Sequence, residues 1–403
     1  MVDSLSKSWP AVGTEKVAWS LPAPLEGRVE AMTVMRLEAR PYTAAIPASI
    51  ADLDPADFLS AHVTRAVTEA EAAIVAFDKE VANLPVPMPA VLLRSESASS
   101  SQIERLTASA RNLAVAALGL HTGDNAALVA SNASAMSRAL RTPGPVTGDL
   151  ILDIHQTLLG ASDPEIAGMW REGPVWIGTP DISPHGADFV PPTAARVAAA
   201  IDDLVEFASR PHVSPLTSAA VAHAQFETIH PFADGNGRTG RALVHTMLRD
   251  AKVTTHATVP VSAGLLADVG SYFAALGEYR QGDIEPIVST FAGAAVRAIA
   301  NGRMLAADTI SLRDAWASSL KARSDSTAWR LADHLFAQPV VNSEHVESAL
   351  QVSRQGAYNA IATLEQAGIL TQSSRDRRNR LWQSTDVLSL MDAFASRAQR
   401  RSL

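Results

Sequence analysis

The sequence contains no cysteine among its 403 residues, which excludes a disulfide framework and any chemistry that depends on a thiol. It also lacks a charged-then-apolar leader, and no uninterrupted apolar run reaches about 18 residues, the length that crosses a bilayer. We therefore expect neither export nor membrane spanning. A cytoplasmic location suits the absence of cysteine.

Charge of one sign does not dominate the chain. The formal net charge is −8, from 34 Lys and Arg against 42 Asp and Glu, which argues against general coating of nucleic acid but allows a local basic patch. Hydrophobic residues form 47% of the chain, so cores can form and disorder is not expected. The length predicts two or three domains.

Two common phosphate-binding signatures are missing: a Gly-rich loop followed by Gly-Lys-Ser/Thr, and a Gly-x-Gly-x-x-Gly that follows a strand. The sequence has instead the stretch His-Pro-Phe-Ala-Asp-Gly-Asn-Gly-Arg-Thr-Gly-Arg at residues 230–241. Apolar residues at helical spacing lie on both sides of it. We therefore predict a loop that runs into a helix beginning near Thr239.

The residues of this loop suit the binding of a nucleotide polyphosphate. Backbone N–H groups of Gly235–Gly237 can approach a phosphate closely, and the following helix adds its free N–H groups and its dipole. Arg238 and Arg241 share a helix face and can bind adjacent phosphates. Asp234 can hold Mg²⁺, and His230 can accept a proton near neutral pH. The alternative is a structural loop with surface arginines.

The stretch resembles the signature of the Fic family, His-Pro-Phe-x-Asp/Glu-Gly-Asn-Gly-Arg-x-x-Arg, and matches it at every fixed position. The resemblance implies a mainly α fold, with a helical Fic core and a β-hairpin flap. It also implies transfer of AMP from ATP to a Ser, Thr or Tyr hydroxyl of a target protein. The phosphotransferase branch, the Doc toxins, departs from the second glycine, so the intact Gly237 favours AMP transfer.

The resemblance further implies a role for each residue of the loop. His230 would be the general base, and Asp234 would coordinate Mg²⁺. The anion hole would consist of Gly235, Asn236 and Gly237. The outer phosphates of ATP would lie against Arg238 and Arg241.

A second segment, Ser100–Glu104, resembles the inhibitory motif of the family, Ser/Thr-x-x-x-Glu-Gly/Asn. The resemblance implies that Glu104 pairs with Arg241 and excludes the γ-phosphate, which would make the enzyme autoinhibited. Arg105 stands where Gly or Asn is usual. The alternative is a serine that caps a helix predicted over about Gln102–Ala117.

A third segment, Gly168–Gly178 with its continuation Phe189–Pro192, resembles the flap of the family. Val175 and Ile177 alternate with other residues as in a short strand, and we expect the target protein to bind along Val175–Ile177 by strand addition. An ordinary structured loop is the alternative.

Two further residues receive weaker expectations. Tyr272, in a segment that resembles the closing helices of the family, is a candidate for the adenine pocket, and core packing is the alternative. His155 is expected to be a surface or packing residue rather than a ligand. The opening stretch, to about residue 40, is expected to be irregular.

The C-terminal region has the pattern of a winged helix-turn-helix. Three predicted helices precede a hairpin with a basic turn, Arg375–Arg380. Such a module would read DNA through Arg354, Gln355, Tyr358 and Asn359, or it would mediate dimerisation or partner docking, so a DNA partner and a homodimer both stay open.

We therefore predict an N-terminal helical region with the inhibitory helix (1–140), a Fic catalytic domain (141–301) and a winged-helix-like domain (326–390). The predicted function is a protein adenylyltransferase that uses ATP and Mg²⁺ and is autoinhibited by Glu104. Two alternatives are kept. One is a nucleotide-sensing, DNA-binding transcription regulator, and the other is a Fic core that mainly removes AMP, with Glu104 orienting water.

Overall fold

The structure, a computed structural model, describes residues 8–20, 40–141, 144–178, 183–211, 214–373 and 380–400. These ranges are mainly helical, which confirms the predicted mainly α fold. The α-helices are α1 Ala61–Ala82, α2 Met88–Ile103, α3 Ala110–Ala116, α4 Asp124–Arg141, α5 Gly148–Leu159, α6 Ala194–Ser209, α7 Pro215–Ile229, α8 Asn236–Asp250, α9 Val261–Leu266, α10 Val269–Gln281, α11 Glu285–Ser319, α12 Thr327–Ala337, α13 Ser343–Leu350, α14 Arg354–Gln366 and α15 Thr385–Ala398. The strands are β1 Gly13–Val17, β2 Tyr42–Ile46, β3 Val340–Val341, β4 Thr371–Gln372 and β5 Trp382–Gln383.

The chain divides into two compact units that do not follow chain order. The first unit falls within residues 1–67, 142–250 and 270–290, and the second within 68–141, 251–269 and 291–403. The predicted domain borders stay predictions. Among the helices that the structure describes, none combines the length and apolar character needed to cross a membrane.

The first unit begins with an antiparallel pair of strands, where the sequence was expected to be irregular. β1 pairs with β2 in the register Gly13↔Ile46 to Val17↔Tyr42. Trp19 and Tyr42 are buried in a small cluster against which Trp176 packs. For Gly13–Val17 the expectation of irregular structure was wrong, because the partner of β1 lies far along the chain and local composition does not reveal such a pairing.

The core of the first unit is built around α7. Every residue from Leu216 to Ile229 is buried, so this helix is enclosed on all sides, as expected of a central helix, although it carries polar residues such as His223, Gln225 and Glu227. α8 packs closely against it at Gly240, where an added Cβ would lie 2.9 Å from Cδ1 of Phe226. The missing side chain of Gly240 therefore lets the two helices approach.

Two buried carboxylates fix the backbone of the second unit. Asp78, on α1, accepts hydrogen bonds from the backbone N–H groups of residues 255–257, at 2.7 to 3.0 Å. Glu96, on α2, accepts hydrogen bonds from the N–H and the hydroxyl of Ser262 at the start of α9. Each carboxylate satisfies N–H groups that would otherwise be buried without a partner.

The end of α2 differs from the prediction. The helix ends at Ile103 and the chain turns before α3 begins, so the single helix predicted over Gln102–Ala117 is wrong. Arg105 has a φ of +63°, its N–H donates to Gln102 O at 2.9 Å, and the N–H of Leu106 donates to Ser101 O at 3.1 Å. This is a Schellman motif, whose left-handed position favours Gly or Asn. Arg105 adopts the same conformation at some cost in strain.

The C-terminal part of the second unit contains the three predicted helices, α12, α13 and α14, and a small antiparallel sheet in the order β3-β5-β4. This order of elements agrees with the expected pattern, while the winged-helix assignment itself stays a prediction. The predicted basic turn falls mostly on residues 374–379, which lie outside the described residues.

Candidate active site

His230 occupies the C-cap of α7 in a left-handed conformation, with φ 49° and ψ 61°. Its N–H donates to the carbonyl of Phe226 at 2.8 Å. Left-handed backbone is uncommon for a residue other than glycine and is concentrated at functional sites. It ends the helix abruptly, and the imidazole therefore lies at the start of the Gly-rich loop.

Glu227 lies one helical turn before His230, and the sequence reasoning missed it. Its Oε2 lies 3.7 Å from Nδ1 of His230, and its side chain is 8% exposed. Burial alone would raise the pKa of Glu227, but contact with His230 and the nearby charge of Arg241 lower it to about 2. The carboxylate is therefore ionised at neutral pH. The spacing of three residues, which brings two side chains to one face of a helix, was the available indication.

The loop after His230 is closed by the side chain of Asn236. Its Oδ1 accepts the N–H of Phe232, and its Nδ2 donates to the carbonyl of Phe232, both at 2.9 Å. Gly235 has a φ of +75°, and an added Cβ would lie 3.1 Å from Cδ2 of Leu158. The amide of Asn236 thus shapes the loop, and only backbone groups of these residues remain to contact an anion.

α8 begins at Asn236, three residues before the predicted start at Thr239. The N–H of Thr239 donates to the carbonyl of Gly235 at 3.0 Å, which closes the first helical turn. The N–H groups of Asn236, Gly237 and Arg238 therefore fall in the first turn, where a helix has no acceptor for them. Together with the positive end of the dipole, they suit an anion.

The two arginines of the motif are interior residues. Arg238 is 2% exposed and Arg241 is 3% exposed, so the alternative of surface arginines is wrong. Nη2 of Arg238 lies 3.3 Å from Oδ2 of Asp234, whose side chain is 63% exposed. The guanidinium groups thus lie within the protein, whereas the carboxylate of Asp234 is open to solvent.

His155 contacts the loop through a hydrogen bond and a stacked ring. Its Nδ1 accepts the N–H of Gly168 at 3.0 Å, so Nε2 carries the hydrogen and lies 3.0 Å from the carbonyl of Asp234, to which it donates. The ring stacks on Phe232 with centroids 3.6 Å apart. Burial lowers the pKa of His155, which keeps it neutral. The expectation of a packing residue is confirmed, and the side chain also positions the loop.

Arg171 is a second residue that the sequence reasoning missed. Its Nε donates to the carbonyl of His230 at 2.8 Å, Nη1 to that of Gly173 at 3.0 Å, and Nη2 to that of Pro192 at 2.5 Å. Burial lowers the pKa of Arg171 to about 10, still well above neutral pH. One buried guanidinium therefore connects the histidine to both ends of the predicted flap.

The predicted flap segment contains one antiparallel bridge, between Ile177 and Phe189. The N–H of Ile177 donates to the carbonyl of Phe189 at 2.8 Å, and the carbonyl of Val190 accepts the N–H of Ala45 in β2 at 3.0 Å. Val175 and Ile177 are half-buried. Residues 179–182, between the two bridged positions, lie outside the described part of the chain.

Tyr272 and Glu104 are the remaining predicted site residues. Tyr272 is 1% exposed, and its hydroxyl lies 2.8 Å from Nε2 of His223, whose pKa burial lowers to about 4. This environment is the one that core packing predicts, and the adenine role stays a prediction. Glu104 is the C-cap of α2 and belongs to the second unit.

The described residues contain no group of three or more His, Asp or Glu side chains that could hold a metal ion by themselves. Asp234 offers a single exposed carboxylate beside the loop. Mg²⁺ is commonly bound by one or two carboxylates together with phosphate oxygens. The residues present therefore fit Mg²⁺ that arrives with a polyphosphate, and do not form a self-sufficient metal site.

Comparison with known proteins agrees with this geometry. Residues 145–248 match the sequence model of the Fic/DOC family. Protein adenylyltransferase fic-1 of Caenorhabditis elegans is 31% identical over 170 residues, which cover 41% of this chain and 30% of that protein. Protein adenylyltransferase Fic of Nematostella vectensis is 30% identical over 157 residues, covering 38% of this chain and 33% of that protein. The matches thus span at most about a third of these relatives.

A solved structure shares the fold. The crystal structure of a Fic family protein from Desulfovibrio desulfuricans G20 superposes with a TM-score of 0.52 and 22% identity, covering 81% of this chain and 97% of that one. The fold and the loop define a mainly helical protein in which a helix N-terminus that suits an anion lies beside a histidine.

Proposed function

We propose that this protein is an adenylyltransferase that transfers AMP from ATP to a Ser, Thr or Tyr hydroxyl of a target protein. The observation that carries the proposal is the arrangement of the 230–241 loop. An imidazole lies at one end of it, and the first turn of α8 lies at the other. Two relatives named as protein adenylyltransferases match 41% and 38% of this chain, and the match to the Fic/DOC sequence model, residues 145–248, includes the loop.

The chemistry follows from the two nitrogens of His230. Nδ1 faces the ionised carboxylate of Glu227, so Nε2 is left to accept the proton of the target hydroxyl. The hydroxyl oxygen then forms a bond to the α-phosphorus of ATP, and the bond from that phosphorus to the bridging oxygen breaks. Pyrophosphate leaves with the electron pair. Glu227 stabilises the imidazolium that forms.

The other residues of the loop would hold the phosphates. We propose that the N–H groups of Gly235, Asn236 and Gly237 form the anion hole, and that Arg238 and Arg241 neutralise the outer phosphates. Mg²⁺, when bound at Asp234, would neutralise charge on the phosphate oxygens. Because both guanidinium groups are buried, water would screen their attraction for phosphate oxygens less than it does at the protein surface.

The test uses ATP labelled at the α-phosphate, with γ-labelled ATP as the control for phosphotransfer. We expect label on protein from the α position only. His230→Ala should lower the rate by about 10²–10⁴-fold while nucleotide binding persists. The matched control is His62→Ala, which removes an exposed histidine. Near-normal transfer by His230→Ala, or protein labelling from γ-labelled ATP, would contradict the proposal.

We propose in addition that Glu104 restrains the activity by competing with the γ-phosphate for Arg241. A Schellman turn follows Glu104, and its left-handed position falls where the inhibitory motif of the family has Gly or Asn. This agreement supports the resemblance of Ser100–Glu104 to that motif. Glu104→Gly should therefore raise self-labelling and ATP affinity. In the alternative function, removal of AMP, the same variant would lose the release of AMP from a modified protein.

We propose that the target peptide binds along Val175–Ile177, where the backbone bridge to Phe189 provides an edge.

For the C-terminal region, DNA binding and self-association both stay proposals. The side chains of Arg354, Gln355 and Asn359 are exposed on α14. This exposure supports the proposal that the helix contacts DNA bases. Arg354→Ala in the full chain should alter sequence preference in a gel-shift assay, but it should leave the sedimentation coefficient unchanged. A cytoplasmic location remains a prediction.

A further inference from the structure

The second unit contains a cavity of about 300 Å³ that has no part in the proposed reaction. It lies between α2, the turn after it, α3, α4 and α15. Its walls are largely apolar, with Ala98, Leu106, Leu113, Val129 and Phe394 among the lining residues. This volume is at the lower end of the range for small-molecule sites, which runs from about 300 to 1,000 Å³.

One cationic side chain, Arg94 of α2, lines this apolar cavity. Its Nη2 donates to Oε1 of Gln338 at 2.5 Å, while Nη1 is buried and has no hydrogen-bond partner among the described residues. Burial lowers the pKa of Arg94 to about 10, so the guanidinium is still charged at neutral pH. Burying a charged guanidinium whose partner is a neutral amide costs free energy unless a counter-ion also pairs with it.

Among the described residues, no carboxylate pairs with Arg94. His334 and His345 share a hydrogen bond between their Nε2 atoms at 2.8 Å, so one donates and the other accepts. Burial, together with the charge of Arg94, lowers the pKa of both, which leaves the pair neutral. Glu96, on the same helix, accepts hydrogen bonds from Ser262 instead. Asp392 also lines the cavity but is exposed to solvent.

We infer that this cavity binds a small organic anion: a monocarboxylate with an apolar body. The carboxylate would pair with the guanidinium of Arg94, an arrangement that can use two parallel hydrogen bonds. The apolar body would lie against the alanine, leucine, valine and phenylalanine side chains of the walls. Binding here is separate from AMP transfer and does not depend on it.

The test uses the full chain with hexanoate as the probe and hexanamide, of nearly the same shape but uncharged, as its control. Isothermal titration should show one hexanoate bound per chain, with hexanamide at least about tenfold weaker. Arg94→Met should lower hexanoate affinity by about 10–100-fold and leave hexanamide unchanged. Arg323→Met, at an exposed arginine of the same unit, is the matched control.

A second variant keeps the test valid if Arg94→Met does not fold. Ala98→Leu fills the cavity from its wall and should abolish binding of both compounds, while the thermal unfolding transition stays cooperative. The inference is overturned if wild-type protein binds hexanoate no better than hexanamide. It is also overturned if hexanoate binds equally well to Ala98→Leu.

Discussion

Arg171 offers the sharpest test of how the site is held together, through the substitution Arg171→Met. The change keeps an unbranched side chain but removes the donors to the carbonyls of His230, Gly173 and Pro192, which lie 2.5 to 3.0 Å away. Each hydrogen bond to a charged group contributes about 1.5–3 kcal/mol. Removal of a buried charge offsets part of the loss. We expect the free energy of unfolding to fall by about 3–5 kcal/mol.

Activity should fall as well, and for a separate reason. Nε of Arg171 fixes the carbonyl of His230, whose backbone is in a strained left-handed conformation. Without this contact the imidazole can shift, and a displacement of about 1 Å costs on the order of 10²-fold in rate. Arg171→Lys, which retains the charge and some of the donors, should lie between the wild type and Arg171→Met in both measurements.

The assays are urea denaturation and AMP transfer from α-labelled ATP, the latter at a temperature where the variant is folded. Arg196→Met is the matched control, because it removes an arginine of the same unit whose ion pair with Glu15 lies at the surface. We expect little change in the control. If Arg171→Met unfolds at the wild-type urea concentration and transfers AMP at the wild-type rate, the guanidinium does not hold the site.

Three further predictions concern single residues. Burial acts to raise the pKa of Asp78, but four hydrogen bonds from Thr255, His256 and Ala257 outweigh this effect and lower the pKa. The ionised carboxylate therefore stabilises the fold at neutral pH, and this stabilisation is lost as the pH falls through the pKa of the folded state. Asp78→Asn should therefore lower stability at pH 7 and weaken its acid dependence below about pH 4, as urea titrations at several pH values would show. Arg105→Gly should raise the free energy of unfolding by about 0.5–1 kcal/mol, because glycine adopts the left-handed conformation without strain, and an unchanged urea midpoint would contradict this. Glu227→Gln should lower the transfer rate by about tenfold or more with ATP affinity retained, and a loss of ATP affinity alone would refute its role in positioning His230.

The sequence by itself determined the features that depend on neighbouring residues. Thr147 and Ser353 cap the helices that follow them through their own side chains, as local patterns predict. The 230–241 motif forms a loop that leads into a helix, because glycine, asparagine and the apolar spacing on either side are all local properties. The observed start of α8, Asn236, differs from the predicted start, Thr239, by only three residues.

The tertiary structure decided the features that join distant residues. β1 forms because β2, which lies far along the chain, pairs with it. Arg171 reaches the carbonyl of His230 across 59 positions of sequence, and His155 reaches the carbonyl of Asp234 across 79. Sequence periodicity reports which face of an element is buried, but it does not report the partner of a buried polar group. That partner is chosen only when the helices pack, and the support of the site was therefore visible only in the fold.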